Sequence, residues 1–451
     1  MDFPMRIAFL SEHASPVALL GGEDAGGQNV YIDEVSRNLA LRGYAIDIFT
    51  RRDSLMAPPV LDWTPGVRVI NLTAGPPEFR AKDTLWPYMS AFRDAFLNFM
   101  QHDEVHYDLI HGNFWMSGWV ATELRQHLSI PVVQIFHAMG KTKQRHQGSM
   151  DSSPQQRLEV ETGIINSVDR LIAQCPGEMT ELIDDYGADP HKIEMIPSAV
   201  NTEIFRPVAH AEARRFVGLE PDDFVIVYVG RMLPRKDVRN VVHAFAHLRR
   251  LCAEMLPGAL PKIKLLLVGG ETPEPDPIAT PEIGVLQHLA ADLGITEHVR
   301  FVGKRQQDTL RYYYSAGDVA VTTPWYEPFG LTPLEGMACG RPVIGSAVGG
   351  ITYTLADGVT GFLVPPRDPQ ALAMRFYQLL QEPELRVQMG QAARQRVEHH
   401  FTWPIVARHT GDLYETVLAE HHLAQTRWHS GQARPFVSIQ LDEKTKFETE
   451  A

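Results

Sequence analysis

The string Glu327-Pro328-Phe329-Gly330-Leu331-Thr332-Pro333-Leu334-Glu335 holds the densest chemistry in the chain. Two carboxylates stand eight positions apart, on either side of a turn and the start of a helix. Pro333 suits the first helical turn, where a missing N–H costs nothing. The backbone N–H groups of Phe329, Gly330 and Leu331 are then free to face a diphosphate. A carboxylate on each side can accept hydrogen bonds from sugar hydroxyls. Arg231 and Lys236, in VGRMLPRKD, follow an apolar run; fixed cations there can stabilise a departing diphosphate. His137, in FHAMGKTKQRHQG, ends another apolar run, where α/β folds bind ligands. Gly21-Gly22 and Gly26-Gly27-Gln28-Asn29-Val30-Tyr31 lie between the first strand and the first helix. Glycines there let backbone approach a ligand, and the helix start offers donors to an anion.

Other chemistries are missing. No two glycines form a G-x-G pair, which removes the dinucleotide fingerprint and the kinase Gly-rich loop. Gly140-Lys141-Thr142 lacks the earlier glycine of a P-loop. No H-E-x-x-H, G-x-S-x-G or D-x-D occurs. Without D-x-D there is no carboxylate pair of the usual kind for a divalent metal on a sugar nucleotide, so no metal or other cofactor is expected. His399-His400 and His421-His422 have no other ligands near them and read as solvated helix residues.

The elements that must position these groups follow from pattern. The chain has 451 residues, of which 44% are hydrophobic, enough for two or three folded domains. Its net charge of -13 argues against nucleic acid as a partner. Cys175, Cys252 and Cys339 are odd in number and far apart, which fits a reducing cytoplasm. Residues 1–10 lack a long apolar stretch, so no signal peptide is expected, and no apolar run approaches the length of a membrane span.

Continuous apolar runs read as buried parallel strands. They fall at 5–10, 45–50, 67–72, 108–111, 131–136 and 169–174, then at 224–229, 263–268, 299–302, 319–323, 342–346 and 361–364. Helical patterns separate them at 28–42, 84–101, 117–128, 155–167 and 177–187, then at 238–252, 281–293, 307–316, 332–339 and 369–381. The alternation predicts an α/β fold with two doubly wound units. The Pro-rich stretch 197–223 reads as a linker. The terminal helical stretch 384–423 is broken at Trp403-Pro404, and its last part could cross back onto the first unit. The expected boundaries are 1–205 for the first domain, 206–403 for the second, about 404–425 for the returning helix and 430–451 for a polar tail.

Taken together, the E-x7-E string with PFG, the Arg/Lys pair, the glycine loop and the strand-end histidine resemble the retaining nucleotide-sugar glycosyltransferases of family 4. Their fold is GT-B, two Rossmann-like domains facing a central cleft. The resemblance covers about 1–425. It implies that Glu327 binds the donor sugar's hydroxyls, Glu335 the ribose, and Arg231 and Lys236 the diphosphate. His137 would touch the donor sugar near the anomeric centre. Gly27, Phe329, Gly330 and Leu331 would also face the donor, with uracil near Val302, Gly303 and Lys304.

Two strings narrow the resemblance. GGQNVY, and Lys82-Asp83-Thr84-Leu85-Trp86-Pro87-Tyr88, resemble the sucrose-phosphate synthases. That implies UDP-glucose as donor and fructose 6-phosphate as acceptor. Lys82, Lys143 and Arg157 would converge on the acceptor phosphate, and Gln28 would meet the acceptor ring. Sucrose 6-phosphate would then need a separate phosphatase. GGQNVY also resembles the inositol-phosphate transferases, so inositol phosphate, a lipid-linked sugar or a glycan stays open as acceptor. A non-catalytic sugar-nucleotide-binding module also stays open. Ala199 stands where the family usually has glycine, in Pro197-Ser198-Ala199-Val200-Asn201.

Overall fold

A computed structural model describes residues 5–18, 26–256 and 261–429. Gly21, Gly22 and the tail from 430 lie outside these. The first sheet holds β1 (Arg6–Leu10), β2 (Ala45–Arg51), β3 (Val60–Thr64), β4 (Val67–Leu72), β5 (Leu109–Asn113), β6 (Val132–Ile135), β7 (Arg170–Ala173) and β8 (Ile193–Met195). Their spatial order is β3-β4-β2-β1-β5-β6-β7-β8, all parallel except the β3–β4 pair. The second sheet is fully parallel. It holds β9 (Phe224–Val229), β10 (Ile263–Val268), β11 (Val299–Gly303), β12 (Val319–Thr322), β13 (Val343–Ser346) and β14 (Gly361–Val364), in the order β11-β10-β9-β12-β13-β14.

Each sheet is covered on both faces, which is why its strands read as unbroken apolar runs. All six residues of β9 are buried. Each sheet also reverses its winding direction once, between β1 and β5 in the first and between β9 and β12 in the second. Ligands of such sheets bind outside the carboxyl ends of the strands at that reversal. Ser11, Arg231 and Glu327 follow β1, β9 and β12, and Asn113 ends β5.

Several local features differ from the sequence expectation. The stretch read as a linker contains the helix His210–Val217, which ends in Gly218 at φ 74. The helix expected from 84 begins as two short 3-10 turns, Lys82–Thr84 and Trp86–Tyr88, and becomes α-helical at Met89. An extra helix, Gly140–Gln147, follows His137. It buries only Gly140, so no apolar period announced it.

The chain runs from the second unit back to the first at Thr402. Helix Pro383–His400 packs against Leu331–Ala338 of the second unit, and helix Trp403–His429 packs on Gly27–Leu41 of the first. Phe401 caps the former, and Val200 N donates to its carbonyl at 3.1 Å. Trp403, 2% exposed, anchors the returning helix in the first core beside Val406 and Tyr414. Loss of so large a buried aromatic costs roughly 3–5 kcal/mol. The Tyr414 hydroxyl meets His111 Nδ1 at 2.5 Å.

Candidate active site

The second sheet supplies an electropositive pocket around one carboxylate. Arg231 follows β9, and a 3-10 turn, Pro234–Lys236, brings Lys236 round to donate to Glu327 Oε2. Burial alone would raise the Glu327 carboxyl. Lys236, Arg235 and Arg231 outweigh it and hold the group below the ordinary glutamate value. Burial lowers Lys236, helped by Arg235 and Arg231 and opposed by Glu327. Three cations against one carboxylate leave positive charge for a diphosphate to balance. Sequence reasoning passed over Arg235, whose buried Nη1 has no hydrogen-bond partner.

The turn after Glu327 is held by backbone shape. Gly330 caps the helix Leu331–Ala338 at φ 95, a region that penalises any side chain. Beneath it, Gly350 N donates to Glu327 O at 3.0 Å. A Cβ on Gly350 would stand 2.4 Å from the Phe329 Cα, and one on Gly349 2.1 Å from Glu327 O. This Gly349-Gly350 pair was also missed, although a glycine pair just past a strand was the signal used for the first loop. Glu335 lies one turn into the helix. Its Oε2 accepts from the Tyr314 hydroxyl at 2.8 Å, and burial pushes its pKa up to about 7. Gly303, at φ 67, ends β11 where a Cβ would strike Pro273 O at 2.4 Å, and Lys304 N donates to Thr272 O at 2.7 Å.

Across the cleft, the first sheet presents hydrogen-bonding groups. His137 sits just past β6 in the left-handed region at φ 60. Its Nε2 lies 3.1 Å from Asn113 Oδ1, so that nitrogen carries the proton and Nδ1 is left as an acceptor. Burial lowers its pKa to about 3, aided by His111 and His13. It is therefore an uncharged hydrogen-bonding group at neutral pH. His13, after β1, is a further residue not singled out beforehand. Its Nδ1 meets Glu12 Oε1 at 2.7 Å, and its ring packs edge-on against Phe114 at 5.0 Å. The rule that selected His137, a histidine just past a strand end, also applies to it. Gln28 Nε2 donates to Ser11 Oγ at 3.3 Å. A Cβ on Gly27 would lie 3.2 Å from Leu331 Cδ1, so the glycine loop and the E-x7-E helix meet across the cleft.

The three cations assigned to the acceptor phosphate share one polar cluster. Lys143 Nζ contacts Asp151 Oδ1 and Ser153 Oγ at 2.9 Å, and Asp83 Oδ2 at 3.5 Å. For Asp83, burial opposes ionisation, but Ser152, Lys143 and Lys82 together lower its pKa. Arg157 Nη1 donates to the same Ser153 Oγ at 3.2 Å. Arg157 is nevertheless placed differently from the lysines. It is 2% exposed, with Nε on Glu161 at 2.8 Å and Nη2 on Ala138 O at 2.6 Å. It props the floor on which Lys143 sits.

Further contacts between the halves narrow the cleft. His146, on the same helix as Lys143, stacks on Tyr326, and Gln147 Nε2 donates to the Tyr326 hydroxyl. Cys175 Sγ reaches Pro328 O at 3.5 Å. Among the described residues no cluster of three or more His, Cys, Asp or Glu could hold a metal, and no helix is long and apolar enough to cross a membrane.

Comparison with known proteins agrees with this layout. Residues 26–199 match the family described as Glycosyl transferase 4-like domain, and residues 210–396 that of Glycosyl transferases group 1. The chain is 38% identical over 423 residues to the D-inositol 3-phosphate glycosyltransferase 2 of Catenulispora acidiphila, covering 93% of this chain and 96% of that one. It is similar in structure to the sucrose-phosphate synthase of Thermosynechococcus elongatus, with a TM-score of 0.82 and 35% identity, covering 92% of this chain and 100% of that one. Anabaena HepE in complex with UDP and glucose shares the fold at a TM-score of 0.69 and 20% identity, covering 91% of this chain and 100% of that one. With two Rossmann-like halves facing one cleft and relatives matched along nearly its whole length, this chain belongs to glycosyltransferase family 4 and has the GT-B fold.

Proposed function

We propose that the protein transfers glucose from UDP-glucose to fructose 6-phosphate with retention at the sugar carbon. The observation that carries the phosphorylated acceptor is the Lys82–Asp83–Lys143–Ser153–Arg157 cluster, on the opposite side of the cleft from Arg231, Arg235 and Lys236. In this reading Arg231 and Lys236 neutralise the departing diphosphate, Glu327 and neutral His137 hold the sugar, and Glu335 holds the ribose. The acceptor phosphate displaces Asp83 or Asp151 from Lys143. The diphosphate oxygen takes the acceptor's proton as the new bond forms on the same face. Closure through Tyr326 excludes water from the activated sugar. The chemistry needs no metal, because fixed cations take that role.

The choice of acceptor is supported by the Lys82–Tyr88 string and by the 35% identity to a sucrose-phosphate synthase. A second reading, inositol phosphate, is favoured by relatives named D-inositol 3-phosphate glycosyltransferase at 36–38% identity. Both acceptors carry a phosphate and differ in the ring beside Gln28. UDP release from UDP-glucose, followed with fructose 6-phosphate, inositol 3-phosphate or free fructose, tests the proposal. Release that requires fructose 6-phosphate supports the first reading. Release with inositol 3-phosphate alone replaces it with the second. Equal release with free fructose removes the phosphate site from both.

A further inference from the structure

Where the first sheet reverses its winding, a buried carboxylate holds a histidine. Glu12 and His13 follow β1, and Ser117 lies in the first turn of the helix Trp115–Leu128 after β5. Glu12 is 1% exposed and Ser117 is buried. Glu12 Oε2 accepts from the Ser117 hydroxyl, and Glu12 N donates to Ser117 Oγ at 3.1 Å. Arg51 N, at the end of β2, donates to Glu12 O at 3.0 Å. Backbone and side chain of Glu12 are thus both tied to neighbouring elements. Its remaining oxygen, Oε1, meets His13 Nδ1 at 2.7 Å. A carboxylate taken out of water in this way needs such partners.

That bond settles the ring. A carboxylate only accepts, so His13 Nδ1 carries a proton and Nε2 points the other way. Among the described residues Nε2 has no hydrogen-bond partner, and it stays open at the cleft end of β1. The ring stands between the groups assigned to the two substrates. It lies edge-on to Phe114, with centroids 5.0 Å apart, and Arg157 Cζ is 5.1 Å from the centroid of that same Phe114 ring. On another side it is near enough to His137 to act on it electrostatically. Gln28 Nε2 bonds Ser11 Oγ, two residues before it in the chain. Phe114 itself is held at φ 76, a backbone conformation that a bulky residue rarely adopts. Such strain collects where a site fixes its side chains.

We propose that His13 binds a hydroxyl of the acceptor ring through Nε2, and that Glu12, braced by Ser117, is the positioning residue that aims it. A hydroxyl both donates and accepts, so it pairs with Nε2 whether or not the ring is charged. With Gln28 the histidine then reads the acceptor's ring, while Lys82 and Lys143 read its phosphate. Glu12 touches no substrate and acts only by fixing which nitrogen faces the cleft. The inference rests on the reading of the cleft as the place where a hydroxylated acceptor meets a nucleotide sugar. It does not depend on which of the two phosphorylated acceptors is used.

A double-mutant cycle tests it by steady-state kinetics, with whichever of fructose 6-phosphate or inositol 3-phosphate supports UDP release by the natural protein. His13→Ala is expected to raise the acceptor KM by roughly three- to tenfold, the loss of one hydrogen bond, and the donor KM by less than about twofold. Glu12→Leu does the same alone, but adds less than about twofold to His13→Ala, because its effect passes through that ring. Glu12→Gln keeps an oxygen for Nδ1 and holds the acceptor KM within about twofold of the natural value. Equal losses from Glu12→Leu in both backgrounds, or a donor KM that rises with the acceptor KM, overturn the positioning role. Should Glu12→Leu fail to fold, an unchanged acceptor KM in His13→Ala overturns the proposal by itself. Proton–nitrogen correlation spectra of the imidazoles give a readout free of turnover, with His13→Ala identifying the signal. A proton on Nδ1 in the natural protein is expected, and a bare Nδ1 overturns the role of Glu12. No UDP release with either acceptor removes the reading of the cleft instead, and the spectrum still decides whether Glu12 sets the ring.

Discussion

The imidazole of His146 lies almost flat on the ring of Tyr326, with centroids 4.9 Å apart and planes inclined by 16°. The two residues belong to opposite halves of the molecule. His146 is one turn from Lys143 on one helix, and Tyr326 directly precedes Glu327. The stack therefore joins the Lys143 cluster to the E-x7-E string. Burial, with Arg145 and Arg367 nearby, lowers the His146 pKa, which favours the uncharged form of the stacked ring. Arg235 approaches the Tyr326 ring as well, its Cζ 5.4 Å from the centroid.

Removing that stack should loosen closure; it also takes the ring from beside Arg235 but leaves Arg231, Lys236 and Lys143 in place. Tyr326→Ala is expected to raise KM for donor and acceptor together by roughly two- to tenfold, the range of an aromatic pair worth about 0.5–1.5 kcal/mol. Steady-state kinetics with each substrate varied in turn measures this. A change confined to one substrate would show that Tyr326 serves only one half of the cleft.

Arg231→Ala or Lys236→Ala should lower kcat by roughly 10²–10³, the scale of lost electrostatic stabilisation of a developing anion. Lys236→Ala also leaves Glu327 without its ion-pair partner. UDP release at saturating substrates gives kcat directly, and an unaltered value in both variants would remove the cations from the chemical step.

Lys143→Ala should raise KM for a phosphorylated acceptor by roughly tenfold to a hundredfold, as expected for a hydrogen bond to a charged group worth about 1.5–3 kcal/mol. The donor KM should move by less than about twofold. Lys82→Ala acts in the same direction. The informative comparison is the phosphorylated acceptor against its dephosphorylated form. A variant that keeps the wild-type preference would place the phosphate elsewhere.

Glu335 makes stability depend on pH. Its carboxyl titrates near the ordinary 4.5 when unfolded and near 7 when folded and buried. Between those values the native protein binds more protons than the unfolded chain, so its contribution to stability falls as pH rises and levels off above about 7. Glu335→Gln removes this penalty. Its Tm should exceed that of the natural protein most at pH 8, and the gap should shrink toward pH 4.5. Melting curves across that range test it; a gap independent of pH would mean that Glu335 is not held protonated.

Much of the framework was legible in the chain because buried parallel strands must be apolar on both faces. The expected runs 224–229, 263–268 and 361–364 coincide with β9, β10 and β14. The strands that escaped notice lack that property. β3 (VLDWT) is a partly exposed antiparallel strand at the sheet edge, and β8 is three residues long with Glu194 and Met195 exposed.

By itself, the sequence determined the two-sheet plan and the family, because apolar period, glycine placement and charged pairs are local properties. Only the tertiary structure decided which charges remain available to a ligand. Arg157 and Lys143 read alike in the sequence, yet one is buried against Glu161 and the other stands among Asp83, Asp151 and Ser153. Arg235 joined Arg231 and Lys236 around Glu327, Gly349-Gly350 came to support that turn, and Tyr326 met His146 only once distant segments packed together. Burial and partner identity arise from such packing, and those two quantities set the charge state of Glu335, Glu327 and His137.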